Sequence, residues 1–240
     1  MSEEHLHFYL IPGMGANASL YSNYHLGGVI HALDWPSQRQ SITLADYAAI
    51  IAEQITTKNN VIVGSSMGGM VATELSHLIA PRATILLSAP CSNHQFPFAL
   101  RMLKHMRLHR LLGPNQIYSL ANAADLFMGF QSPEDRKRFY DMLKTNGPDF
   151  LHFSIRAVLE WEHLRQPTGN FLHILGDRDR LFNPKKIHEP LVIRGAGHFA
   201  TFEKSKIISQ LIQAYVDHDF DKTVAMQFAY KHWPNELKKQ

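Results

Sequence analysis

Residues 61–70 of this 240-residue chain, V-I-V-G-S-S-M-G-G-M, constrain its fold more than any other stretch. A short apolar run rich in β-branched residues meets Gly64-Ser65-Ser66-Met67-Gly68, and Met70-Val71-Ala72-Thr73-Glu74-Leu75 then reads as a helix. Strand, G-x-S-x-G and helix in that order put Ser66 on a sharp turn, with its hydroxyl beyond the end of a sheet. Gly64 and Gly68 flank it because side chains there would collide across the turn; Gly69 lets the helix approach the neighbouring strand. The Met67 amide stands at the helix N-terminus, where the dipole favours negative charge. A phosphate loop would need Gly-Lys-Ser/Thr, and a dinucleotide fingerprint would need G-x-G-x-x-G; this stretch has neither.

Strand-like and helical segments alternate around that turn. Residues 5–11 read as a strand ending at Pro12-Gly13-Met14-Gly15, 18–25 as a first helix, and 29–34 as a second strand closed by Trp35-Pro36. A helix over 41–56 follows, with Ile42, Tyr47, Ile50, Ile51 and Ile55 at helical spacing. The helix after Ser66 runs to 79 and stops before Pro81, and 83–89 is a fourth strand. No strand pattern follows between 91 and 166. Residues 100–112 form a basic amphipathic helix, with Met102, Leu103, Met106 and Leu111 beside Arg101, Lys104, Arg107 and Arg110. Ser132-Pro133-Glu134 reads as a helix start, and 149–165 as another helical stretch. Strands resume at 171–176 and 191–194, and a helix follows over 204–215.

This rhythm predicts an α/β fold with about six mostly parallel strands and helices on both faces. Ligands in such sheets bind outside the carboxyl ends of the strands, where Ser66 lies. The expected organisation is a core from 1–90 and 167–218, a helical cap over 91–166 inserted after the fourth strand, and a tail over 219–240. The tail's Val224, Met226, Phe228, Tyr230 and Trp233 suit either a docked helix or a partner contact.

Composition narrows the class. With 45% hydrophobic and 19% charged residues the chain is an ordinary globular protein, and a net charge of +3 is too weak to argue for nucleic acid. The single cysteine, Cys91, excludes an intrachain disulfide and reads as a small packed residue. Met1-Ser2-Glu3-Glu4 lacks the basic-then-apolar order of a signal peptide, and no apolar run is long enough to span a bilayer. A cytoplasmic protein is the expectation.

A serine hydroxyl is a poor nucleophile near neutral pH unless a base takes its proton and a carboxylate orients that base. In this topology the chain order is serine, acid, histidine. Fifteen histidines make composition useless for choosing, but only His188, His198, His218 and His232 follow the later strands. His198, in Gly195-Ala196-Gly197-His198-Phe199, sits on a bendable loop directly after the last strand and is the candidate base. Asp179, in Gly176-Asp177-Arg178-Asp179, is the candidate acid; Asp177, nearer the strand, is the alternative and suits an arginine pair or a turn cap. The position one strand earlier, Pro90-Cys91-Ser92-Asn93, holds no carboxylate. Backbone amides of Met67 and Met14 are placed to hold an oxyanion, and both side chains suit an adaptable apolar wall. No zinc-type spacing or cofactor motif is seen, so no metal or cofactor is expected.

Gly64-Ser65-Ser66-Met67-Gly68, Gly176-Asp177-Arg178-Asp179 and Gly195-Ala196-Gly197-His198 together resemble the α/β-hydrolase superfamily, over about 1–90 and 167–216, and in particular its small bacterial-type serine hydrolases with a helical cap. The resemblance implies Ser66 as nucleophile, Asp179 as acid, His198 as base, and Met14 and Met67 as oxyanion donors. Two departures stand out. Pro12-Gly13 replaces the usual His-Gly of the first turn, and residues 5–11 are expected to correspond to the superfamily's third strand, without its usual antiparallel N-terminal pair. The expected reaction is hydrolysis of a carboxylic ester or thioester through an acyl-serine. Gly13, Phe96, Leu103, Met106, Phe127 and Phe199 are expected to contact a small acyl substrate, in a wall that also includes Phe98 and Leu100. The basic cap residues, with His105 and His109, suit either a solvated lid face or an anionic group such as acyl-CoA phosphates. The same scaffold also hosts weakly catalytic binding proteins and cofactor-free lyases, peroxidases and C–C hydrolases.

Overall fold

A computed structural model of the chain describes residues 5–36, 43–107, 113, 116 and 125–239. Six strands, β1 (His7–Ile11), β2 (Val29–Ala32), β3 (Asn60–Ser65), β4 (Ala83–Leu87), β5 (Asn170–Gly176) and β6 (Leu191–Ile193), form one sheet in the order β2-β1-β3-β4-β5-β6. Every neighbouring pair is parallel. The described helices are α1 (Leu44–Gln54), α2 (Met67–Ile79), α3 (Phe98–Met106), α4 (Asp125–Met128), α5 (Pro133–Glu160), α6 (Ala200–Glu203), α7 (Ser205–Asp217) and α8 (Lys222–His232). This is the parallel sheet of about six strands with flanking helices expected from the sequence.

The strand order sets where the loops meet. The chain steps outward from β1 to β2, then returns to the other side of β1 with β3. Connections therefore diverge at the β1/β3 pair, where an open α/β sheet leaves its crevice. Ile11 and Gly64 are register partners there, so the loops leaving β1 and β3 start side by side. Along β1, Phe8 and Leu10 enter one apolar layer while Tyr9 and Ile11 enter the other. Burial on both faces explains the near-continuous apolar strands.

Local chemistry places the helix ends. Thr43 caps α1 in a reciprocal box: its hydroxyl accepts the Asp46 amide (3.1 Å) and Asp46 accepts the Thr43 amide (2.7 Å). Ser41 and Ile42, expected to open that helix, lie outside the described residues, as do His109, Arg110, Leu111 and Leu112 of the basic helix. The expected helix at 18–25 is instead a single 3-10 turn, Ala18–Tyr21. Two buried tyrosines hold the chain down there, with Tyr21 donating to Ile11 O (2.6 Å) and Tyr24 to Thr201 O (2.9 Å).

The helix starting at Ser132-Pro133 and the stretch from 149 are joined in α5, which bends at Gly147 (φ 75°) beside Pro148. It ends at Glu160 rather than 165, because Trp161 turns extended and its Nε1 donates to Glu74 on α2 (2.7 Å). Its first half packs Phe139, Met142 and Leu143 into one layer; its second half packs Phe150, Phe153, Ala157 and Val158 into the other. The bend therefore lets α5 straddle the carboxyl edge of the sheet. Asn146 Nδ2 donates to Ala16 O (3.2 Å), tying the bend to the loop after β1.

The tail is docked. α8 packs on α7 and β5, and the segment beyond it runs antiparallel to β6. Arg194 N donates to Glu236 O and Lys238 N to Val192 O, both at 2.8 Å, with Leu237 opposite Ile193. The tail so covers an edge that would otherwise offer unpaired backbone. Among the described residues no helix is long and apolar enough to cross a membrane. Leu237 is 1% exposed, so Leu237→Ala is expected to lower unfolding free energy by about 2–4 kcal/mol. Urea unfolding measures it; a loss under about 0.5 kcal/mol, ordinary for a surface position, would mean the tail is not packed in this way.

Candidate active site

Ser66 stands between β3 and α2 with φ 52° and ψ −117°. A non-glycine residue at positive φ is uncommon and is strained unless its surroundings fix it. Here close packing of backbone does so. A Cβ on Gly64 would lie 2.3 Å from Gly68 O, and one on Gly68 2.3 Å from Pro12 O. The space beside Gly69 is filled by Ala89, two residues beyond β4. The turn is held further by Ser66 N donating to Leu87 O (2.9 Å) and by the Ser65 and Thr201 hydroxyls, 2.8 Å apart.

The loop after β1 lies against this turn, with the Gly13 Cβ position 3.3 Å from Ser66 Cβ. Ala16 N closes the loop onto Gly13 O (3.1 Å), and Trp35 Nε1 donates to the same oxygen (3.2 Å). Trp35 is itself wedged against Tyr47 and Phe150. It therefore braces from outside a loop that has proline where the superfamily places histidine. Met67 is the first residue of α2, an amide position with no acceptor inside the helix. Met14 lies in the braced loop beside it.

The imidazole arrives from the far side of the sheet. After β6 the chain turns at Gly195 (φ 68°), whose N–H donates to Asp177 Oδ1 (2.7 Å). Arg178 N donates to Ala196 O (2.9 Å), which seats the loop on the end of β5. His198 Nε2 then lies 2.9 Å from Ser66 Oγ, and His198 Nδ1 lies 2.9 Å from Asp179 Oδ2. The other oxygen of Asp179 accepts the amides of Leu181 (2.8 Å) and Phe182 (2.9 Å). Both side chains are buried, at 4% and 0% exposure, so the carboxylate has protein partners in place of water. A carboxylate at Nδ1 keeps the ring proton there and leaves Nε2 free to accept from the serine hydroxyl. The two aspartates thus divide: Asp179 faces the imidazole, whereas Asp177 anchors its loop and faces Lys238 at 3.8 Å.

The expected substrate residues separate. Phe96 is buried between Trp161 and Phe182, and Phe182 lies 5.6 Å from the His198 ring. Phe199 does not stand open beside Ser66. It is turned into a cluster with Phe130, Phe139 and Phe202, where it supports the histidine loop. Leu103 is half-buried, while Met106 and Phe127 are 56% and 45% exposed and form no closed wall. Lys104 is tied to Trp161 O (3.2 Å) and Glu162 (3.3 Å); Arg101 and Arg107 are exposed. Cys91 is buried, which pushes its thiol up. Among the described residues no group of three or more metal-ligating side chains converges.

Sequence reading missed Trp35, Gln131 and Glu203. Trp35 had one visible signal, a tryptophan immediately beyond the carboxyl end of a strand. Glu203 Oε1 accepts the Gln131 amide (2.7 Å), and burial pushes its carboxyl from 4.5 up to about 7. Asp135 adds to the rise, while the Gln131 amide and Lys204 oppose it. Through that window the folded chain holds a proton that the unfolded chain has released, so stability falls as pH rises. Above about pH 7 the whole contribution is lost. Glu203→Gln should therefore be more stable than wild type at about pH 8, by about 1 kcal/mol after solvent screening of a half-exposed group. The two should be equal below about pH 4.5. Urea unfolding at both pH values tests this; a gain of equal size at both would mean that ionisation of Glu203 is not its source.

Residues 8–209 match the alpha/beta hydrolase family. Comparison with curated proteins finds no match. Among solved structures, a thermophilic esterase from Thermogutta terrifontis is similar at TM-score 0.70 and 17% identity, covering 90% of each chain. A type II thioesterase of the yersiniabactin pathway is similar at TM-score 0.64 and 19% identity, over 92% of this chain and 96% of that one. A lipase-esterase related protein from Clostridium acetobutylicum has TM-score 0.67 and 16% identity, over 88% and 94%. These likenesses are to the fold, and the match over 8–209 covers most of the sequence: the chain belongs to the alpha/beta hydrolase family.

Proposed function

We propose that this protein is a serine hydrolase that cleaves a carboxylic ester or thioester through an acyl-serine intermediate. The observation that carries the reading is the unbroken contact from Ser66 Oγ through the His198 ring to Asp179, 2.9 Å at each step. In this reading His198 takes the Ser66 proton as Oγ attacks the carbonyl carbon. The tetrahedral oxyanion is received by the Met67 and Met14 amides, at the α2 N-terminus and in the loop braced by Trp35. Collapse expels the alcohol or thiol, which leaves with the proton held on His198. Water then attacks the acyl-serine with His198 as base, and Ser66 recovers its proton. Asp179 keeps the imidazole in the reactive tautomer and stabilises its charged form.

Esterase and thioesterase names among the structural neighbours support the substrate class. The segment 91–166 serves as the cap in this reading. Gly13 lies against Ser66, and Phe96 packs on Phe182, which contacts the His198 ring; Leu103, Met106 and Phe127 belong to the cap in this reading. Ser66 is only partly covered, so a substrate carbonyl can reach its hydroxyl.

A fluorophosphonate probe is expected to label the wild type and not Ser66→Ala. Turnover of p-nitrophenyl esters and acyl-CoAs from C2 to C16 should fall by roughly 10³–10⁶ in Ser66→Ala and His198→Ala. Asp179→Asn should fall by about 10⁴, through the wrong tautomer. Equal labelling of wild type and Ser66→Ala would sink the assignment.

A further inference from the structure

Resting on that reading, we propose that Gln131 is a positioning residue for His198, through which the helical insertion sets the geometry of the imidazole. The structural basis is the peptide of Gly195, the point at which the chain leaves β6 to carry the histidine. Its N–H is held from the sheet side by Asp177 Oδ1 at 2.7 Å. Its carbonyl is held from the insertion side by Gln131 Nε2 at 2.9 Å. One residue at positive φ is thus gripped at both ends by groups from different parts of the chain.

Further contacts align the same two segments. Phe199 N donates to Met128 O (3.1 Å), and Gln131 N donates to Glu203 Oε1 (2.7 Å). Gly197 and Gly129 lie face to face, with a Cβ on Gly197 only 2.7 Å from Gly129 O and Met128 O. Residues 128–131 therefore lie across the histidine loop, with bonds on both sides of His198. The orientation of the Gln131 amide follows from its neighbours. It faces the carbonyls of Gly195 and Gly129, at 2.9 and 3.4 Å, and only its NH₂ end can satisfy them.

Gln131 is exposed, and an exposed side-chain hydrogen bond adds little to global stability. Its effect is expected in the aim of the imidazole, where small misplacements are costly in rate. Gln131→Met keeps the length and the Glu203 bond but loses the donor; Gln131→Lys keeps a donor of similar reach. Gln131→Met should lower kcat for p-nitrophenyl acetate about tenfold, with KM little changed. It should slow fluorophosphonate labelling of Ser66 to the same degree, with Tm within about 2 °C of wild type. Gln131→Lys should recover most of the loss.

A readout independent of turnover is the His198 signal in the ¹H–¹⁵N spectrum of ¹⁵N-histidine-labelled protein, assigned by its loss in His198→Ala. It should shift or broaden in Gln131→Met and return in Gln131→Lys. An unchanged His198 signal in Gln131→Met overturns the proposal whether or not the wild type turns over esters. In an active wild type, an unchanged kcat, a loss confined to KM, or no recovery in Gln131→Lys overturns it as well. A wild type that Ser66→Ala does not impair fails the proposed reaction, and the spectrum then decides the positioning role by itself.

Discussion

Everything at this site depends on how closely three pieces of backbone approach one another at the β1/β3 end of the sheet. Gly64 has no room for a side chain because Gly68 O sits where a Cβ would go, and Gly68 has none because of Pro12 O. That double contact fixes the turn at Ser66, the direction of α2 and the place of the loop after β1 all at once. The strain of a serine at φ 52° is affordable only in such a setting. Its chemical consequence is local: the hydroxyl stands clear of the sheet, the Met67 amide opens a helix beside it, and Gly13 lies against its Cβ.

The rest of the site is brought to this turn from β5 and β6, and each arrival is held by backbone rather than by packing alone. Asp179 accepts two amides with the oxygen that does not face His198. That leaves its second oxygen a single direction in which to act. Asp177, two residues earlier, is spent on the Gly195 amide and cannot serve the same purpose. Two aspartates separated by one arginine therefore have unlike roles because Asp177 lies within the turn after β5 and Asp179 follows it. Trp35 holds the loop after β1 by donating to the Gly13 carbonyl, as Asp177 holds the loop after β6 by accepting the Gly195 amide.

What was legible in the sequence was what short-range pattern encodes. The β-branched run before Gly64, the glycine spacing around Ser66 and the return of apolar strands after 170 gave the sheet and the chain order of Ser66, Asp179 and His198. Where the reading went astray, a distant contact had overruled a local preference. The helix at 18–25 is cut to one turn by tyrosines bonded to Ile11 and Thr201. The stretch from 149 ends early because Trp161 finds Glu74, 87 positions away. Phe199 carries an apolar ring next to the histidine, and nothing in its neighbours says that the ring turns toward Phe130 and Phe139. Gln131 meets Gly195 across 64 residues, a separation at which one sequence carries no trace of the pairing.

The segment between β4 and β5 is uneven in energy. α5 buries Phe139, Met142, Leu143, Phe150, Leu151 and Phe153 across both apolar layers. At about 1.5–3 kcal/mol for each large apolar side chain, lifting it would cost roughly 10 kcal/mol or more, comparable to the stability of a whole domain. α3 is the opposite case: none of its residues is buried, and Phe98 is 68% exposed. In chain order both helices lie between β4 and β5; in energy α5 is part of the core and α3 is not. In the proposed reaction, a substrate that needs room above Ser66 must gain it without displacing α5, while the chain just before α5 stays bonded to the histidine loop through Gln131 and to α6 through Glu203.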